Sequence, residues 1–231
     1  MKKIVLLIGV AFLFTPSPAA TLGHKRFVCA PTGPLKHCYA STLHSVELAR
    51  LQLGRHQSAT ADMLAQRFTQ LVADSIMPYW YGTPWDFNGT TQTPGTGAIA
   101  CGYFVSTVLR DAGLRVNRVK MGQMDSEEMI HHLAEKKDTK LFYEKPLTQV
   151  LAYLRQQGAG LYIIGLNSHV GFILVDDAGC WFIHAKWFGE KAVVKEDAAT
   201  SNILYYATYR MVAKISNSRK LLQAWLKGEG L

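Results

Sequence analysis

The chain lacks an apolar run of membrane-spanning length, a metal-ligand motif, an internal repeat, a low-complexity tract and a block of like charge. Each absence removes a class of function. A membrane-spanning helix needs roughly 20 apolar residues, and the N-terminal apolar run, Ile4 to Phe14, stops short of that before Pro16. Structural zinc sites need Cys or His pairs at characteristic spacing. His131 and His132 have no cysteine or carboxylate at matching positions and read as surface residues, so neither a metal nor a cofactor is expected. Lys and Arg outnumber Asp and Glu 25 to 17, for a formal charge of +8, but they are dispersed, and no run reaches the ~5 like charges of a binding tail. No nucleic-acid partner is expected. A basic balance favours anionic polymers and surfaces by long-range attraction without identifying any of them.

The N-terminus reads as an export signal. Met1-Lys2-Lys3 supplies a charged start and Ile4 to Phe14 a short apolar stretch. Thr15-Pro16-Ser17-Pro18 then leads to the small residues Ala19 and Ala20, where cleavage is expected. No cysteine follows the apolar run directly, so no membrane anchor is expected. The mature protein is expected to be periplasmic or secreted, with a formal charge of +6 once Lys2 and Lys3 are subtracted from +8.

Cysteine is scarce, and the four present, Cys29, Cys38, Cys101 and Cys180, would occupy a compartment that permits disulfides. Cys29 and Cys38 flank the loop Ala30-Pro31-Thr32-Gly33-Pro34, which suits a local bridge. Cys180 is expected to be a buried free thiol near the site, although a Cys101–Cys180 bridge is an open alternative.

Cys101 differs from the others in its setting. Leu64, Phe68, Leu71, Val72 and Ile76 recur at helical spacing, and Pro78 is expected to close that helix. Tyr79 to Trp85 and a Gly- and Pro-rich stretch then form a long loop, of the kind that is often functional. Beyond it Phe104, Val105, Val108, Leu109 and Ala112 form a helical stripe ended by Gly113, which places Cys101 at a helix N-terminus. There the partial positive charge of the helix favours a thiolate over a thiol. Asp125 with Glu128 has capping-box spacing, and Pro146 suits the first turn of another helix.

The chain then turns to strands: 161–166, 169–175 and 180–184, with a turn at Asp176-Asp177-Ala178-Gly179. This antiparallel meander brings His169 and His184 to one end of the sheet. Segments 192–194 and 202–212 read as further strands, and Leu221, Leu222, Trp225 and Leu226 suit a C-terminal helix. A helix-opening cysteine with two histidines is a constellation that nucleophilic thiol catalysis uses.

Three segments carry a family resemblance. Tyr79-Trp80-Tyr81-Gly82, Cys101-Gly102-Tyr103-Phe104-Val105, and His169-Val170-Gly171 with Phe182-Ile183-His184-Ala185 together resemble the NlpC-type cysteine peptidases, which are cell-wall hydrolases. The resemblance covers roughly residues 75 to 215. The strands and helices read as an α+β fold, with residues 21–75 as an N-terminal helical extension on a domain spanning 76–231; the resemblance implies that this domain is papain-like, with the nucleophile helix packed on an antiparallel sheet. By position, Cys101 would be the nucleophile, His169 its base, His184 the residue orienting that imidazole, and Tyr79 an oxyanion-side donor. The implied activity is cleavage of an amide bond in peptidoglycan stem peptides, or in another peptide, through a thioester acyl-enzyme.

Two positions depart from the family pattern. An acidic residue before the nucleophile and a serine after it, which help recognise the amino end of the stem, are replaced by Ala100 and Gly102. An acyltransferase or transglutaminase-like enzyme using the same thiol, and a non-catalytic envelope-binding module, therefore stand beside the hydrolase. Trp80, Trp85 and Phe87 could line a cleft against sugar or peptide, or pack in the core.

Overall fold

The computed structural model describes residues 35–55 and 59–231. The expected signal segment and Cys29 lie outside these residues. Cys38 is disulfide-bonded, while Cys101 and Cys180 are free, so no Cys101–Cys180 bridge exists.

The elements in chain order are helices α1 (Leu35–Arg55) and α2 (Ala61–Gln70), a π-helical segment (Leu71–Ile76), and helices α3 (Met77–Trp80), α4 (Cys101–Asp111), α5 (Arg118–Gly122) and α6 (Ser126–Leu133). Strand β1 (Thr139–Tyr143), helix α7 (Leu147–Gln157) and strands β2 (Gly160–Leu166), β3 (Val170–Asp176), β4 (Gly179–Ala185) and β5 (Val193–Asp197) follow. Helix α8 (Asn202–Tyr206), strand β6 (Tyr209–Ala213) and helix α9 (Arg219–Lys227) complete the chain.

The six strands form one antiparallel sheet in the order β1-β6-β2-β3-β4-β5, so the protein is α+β. Alternation along each strand sends side chains to both faces. Leu161, Ile163, Phe172, Leu174 and Ile183 enter a core shared with the helices around α4. Tyr162, Ile164, Ile173, Cys180 and Phe182 enter a second core against α7 and α8. Burial on both faces explains why β2 and β3 read as continuous apolar runs.

Several expectations need correction. Pro78 does not end its helix, which continues to Trp80. A proline in a regular helix clashes with the carbonyl one turn back, but here the preceding turn widens, with Met77 N–H bonded to the carbonyl of Val72. Residues 202–206 are helix rather than strand, because the Ser201 side chain accepts from the Leu204 N–H and caps a turn. Strand β1 and helix α5 were not expected at all. Cys180 is buried on the expected face, but it stands four residues before His184, about 13 Å along the strand, and so lies away from the candidate site. His131 is more than a surface residue, since its Nδ1 is buried with no hydrogen-bond partner among the described residues.

Helices α1 and α2 pack on the rest of the chain through a polar relay and buried rings. Trp80 Nε1 donates to Tyr39 Oη (2.9 Å), and that hydroxyl donates to Asp111 Oδ2 (2.6 Å) at the end of α4. Phe68 of α2 meets Trp225 of α9 edge-on at 5.1 Å. The irregular loop before α4 is tied down by Arg118, whose guanidinium donates to the carbonyls of Thr90 and Thr91 and to Thr107 Oγ1. Gly89 packs so tightly against Ala98 and Ile99 that a Cβ would lie 2.6 Å from their backbone. The chain is thereby delivered to Cys101 along a fixed path.

Candidate active site

Cys101 is the first residue of α4. Ala100 is extended and offers no side-chain cap, so the first-turn N–H groups are not taken up by a capping side chain. The sulfur accepts from the main-chain N–H groups of Val170, Gly102 and Cys101, and the imidazole of His169 is not among its partners. Burial pushes the thiol above its usual range, and these N–H groups offset only part of that shift. Helix position alone therefore leaves Cys101 a protonated thiol at neutral pH.

Val170 begins β3, so the residue before it, His169, is carried to the same end of the sheet as the sulfur. The turn that presents His169 is pinned to β6. Asn167 accepts at Oδ1 from the N–H groups of Thr208 and Tyr209 and donates through Nδ2 to Thr208 Oγ1.

His184 stands across the hairpin from Gly171, two residues beyond His169, which makes the two histidines diagonal neighbours on one face. Gly171 is what permits this approach. A Cβ there would lie 2.8 Å from both His184 Cβ and Phe182 Cε2. The His184 ring stacks on Phe182 at 3.8 Å, and His169 meets Phe182 edge-on. His169 Nε2 and His184 Nδ1 are 2.8 Å apart.

The relay continues to a residue that sequence reading missed. His184 Nε2 lies 3.3 Å from Glu196 Oε1 on β5. Glu196 also accepts from Ser201 Oγ at 2.5 Å and from Lys186 Nζ at 2.7 Å. Burial would raise the Glu196 carboxyl, but hydrogen bonds from His184, Lys186 and Ser201 bring it down to about 2. Glu196 is therefore ionised at neutral pH and can only accept.

That fixes the tautomers along the relay. Burial, reinforced by its neighbour His184 and partly opposed by Glu196, pushes His169 down to about 3. Burial also lowers His184, against the pull of Glu196. Both rings are neutral, so His184 Nε2–H donates to Glu196 and its Nδ1 must accept. His169 then carries its proton on Nε2, which leaves a free lone pair on Nδ1. The tautomer leaves Nδ1 able to accept a proton, but the burial that keeps the ring neutral also makes it a weaker base than a free imidazole.

Tyr79 is placed elsewhere. Its hydroxyl is 2.9 Å from Thr42 Oγ1 and donates at 3.5 Å to the carbonyl of Cys38, both on α1. Its ring leans on Tyr39 at 5.2 Å. The aromatic segment that suggested an oxyanion donor anchors α1.

The departure at Gly102 has a steric cause. A Cβ at 102 would sit 2.4 Å from the carbonyl oxygen of Gly122, where α5 crosses α4. A serine does not fit there. Trp80 is fully buried, Trp85 packs against the same core, and Phe87 is exposed.

Glu196 was legible only in part. An acid on a strand twelve residues after His184 shares its face only if β5 pairs in one particular register. That register is set by the connection 186–192, through the bridge of Pro84 to Ala192 and the bond from Val193 N–H to the carbonyl of Thr83. Among the described residues no group of three or more His, Cys, Asp or Glu could hold a metal ion, and no helix is long and apolar enough to cross a membrane. Comparison with family models, curated proteins and solved structures finds no match to the chain.

Proposed function

We propose that this chain is an exported cysteine hydrolase of the papain-like NlpC type, cleaving an amide bond in peptidoglycan stem peptides. The reading is carried by the relay Glu196–His184–His169, which leaves His169 Nδ1 as a free base at the sheet end that also holds the Cys101 sulfur. The export signal and the basic charge of the mature chain support a site of action at an anionic envelope polymer.

In this mechanism His169 Nδ1 takes the Cys101 proton as sulfur attacks the substrate carbonyl carbon. The C–N bond then breaks, and His169 returns that proton to the departing nitrogen, leaving a thioester. Water adds to the thioester carbonyl with His169 again as base. The carboxylic acid departs and the thiol is restored. His184 and Glu196 keep the imidazole oriented and stabilise its cation as it forms. The N–H groups at the start of α4 face the developing oxyanion, where each donor is typically worth ~2.7–4 kcal/mol.

Purified sacculi incubated with the wild-type chain should release muropeptides, and Cys101→Ala should release none, a loss of about 10³-fold or more. Absence of release by wild-type protein with an alkylatable Cys101 would sink the proposal. Acyl transfer to an amine is favoured as a second reading by Gly102, since the position that would read the stem's amino end is closed by Gly122. Product analysis with an added amine acceptor separates the two.

A further inference from the structure

A cavity of about 450 Å³ opens beside His169, within the ~300–1,000 Å³ typical of small-molecule sites. Its aromatic walls are Trp187 and Phe188, from the connection after β4, and Tyr206 of α8. Among the described residues no Lys, Arg, Asp or Glu lines it. The three rings are 45%, 59% and 76% exposed, respectively. Large aromatic side chains left at the surface around a concavity mark a binding site more often than chance exposure.

The lining narrows the chemistry. A charged ligand would lose hydration in a cavity that offers it no counter-charge. A wholly apolar ligand would fit the rings but would strip water from Ser168 and the Asn202 amide, which also line the cavity. A neutral ring with apolar C–H faces and peripheral hydroxyl and amide groups satisfies both sets of walls. Aromatic faces pack on its C–H surface, and Asn202 and Ser168 serve its polar edge. Those are the properties of an N-acetylated hexosamine.

We propose that this cavity is a sugar subsite that holds an N-acetylhexosamine of the glycan to which the stem peptide is still attached. The inference rests on the hydrolase reading and narrows its substrate to glycan-linked stems. It also accounts for Ala100. A stem joined to its sugar has its amino end tied up in an amide, so there is no ammonium for an acid at position 100 to pair with.

The test measures binding first, in a chain that cannot turn over. N,N′-diacetylchitobiose is titrated into Cys101→Ala protein while indole resonances and tryptophan fluorescence are followed. Saturable perturbation is expected, weakened at least about tenfold by adding Trp187→Ala, and weakened also by adding Tyr206→Ala. Deacetylated, cationic chitobiose should bind at least about tenfold more weakly. No perturbation by the acetylated sugar, or the same perturbation in both added variants, overturns the subsite. With active protein, glycan-linked stems should be cleaved at least about tenfold faster, as kcat/KM, than the free stem peptide, and Trp187→Ala should shrink that ratio. Equal rates on both substrates also overturn it. Sugar binding without cleavage of either substrate would remove the hydrolase reading instead, so the two failures are distinguishable.

Discussion

The two halves of the candidate site are built in opposite ways. On the imidazole side, every polar atom from His169 Nε2 to the Glu196 carboxylate has a partner, and the chain of bonds ends on Lys186 and Ser201. On the thiol side, Cys101 has only main-chain N–H groups and a burial that holds its proton on. The imidazole is oriented in advance, and the thiol is not ionised. The contrast puts a neutral thiol and a neutral imidazole at rest, so the proposed hydrolase would transfer the proton as sulfur attacks instead of starting from a thiolate–imidazolium pair.

The broadest challenge to this contrast is pH. His169 and His184 have folded-state values below the ordinary histidine value of about 6.5. The unfolded chain therefore binds more protons than the folded chain as pH falls below about 6.5. Their stabilisation is present above that value and is lost toward pH 3, by an amount on the order of a few kcal/mol. Glu196 acts in a lower window, between about 4.5 and about 2, and in the same direction. Urea unfolding at pH 7.5 and pH 4.5 should show this loss, and His169→Asn should reduce it. A flat profile in the wild-type chain would mean that the rings are not held neutral.

Next in size is the contact that lets the imidazoles meet. Gly171→Ala should cost about 1–3 kcal/mol in denaturant unfolding, because its methyl must displace His184 and Phe182. Gly102→Ser should cost a similar amount on the thiol side through Gly122. If both substitutions are neutral, close packing does not set the geometry of either half.

Removing the charge at the end of the relay should have a smaller effect. Glu196→Gln should lower kcat about tenfold with little change in KM, and Glu196→Asp should recover part of the loss. An unchanged kcat would confine Glu196 to a structural role. The smallest expected effect concerns the thiol alone. Iodoacetamide should label Cys101 several-fold more slowly at pH 7 than a free cysteine, with a rate that climbs past pH 9. A neutral-pH plateau would reverse the comparison by revealing a thiolate. Cys180, buried in the second core, should label only on unfolding.

Much of this arrangement could be read from residue order. The stripe from Phe104 to Ala112 located α4, and so placed Cys101 at a helix start. The turn at Asp176 to Gly179 set the β3–β4 register and with it the approach of the two histidines. Tyr79 was misleading because an aromatic run leading to a glycine suits a site and a helix anchor equally, and only the neighbouring α1 decides between them. The segment from Asn202 to Tyr206 failed for a similar reason. Five residues of mixed propensity follow whichever constraint is stronger, and the Ser201 cap prevails.

Periodicity and turn chemistry, which act over neighbouring residues, are determined by the sequence alone. They fixed the meander, the helix that Cys101 opens and the face shared by His169 and His184. Contacts between segments far apart in the chain were decided by the tertiary structure. Glu196 became the end of the relay only when β5 paired with β4, and serine was excluded at 102 only when α5 crossed α4. The physical reason is that local order follows from hydrogen bonds and sterics within a few residues, whereas which polar group is buried beside which depends on how the sheet and helices close around it.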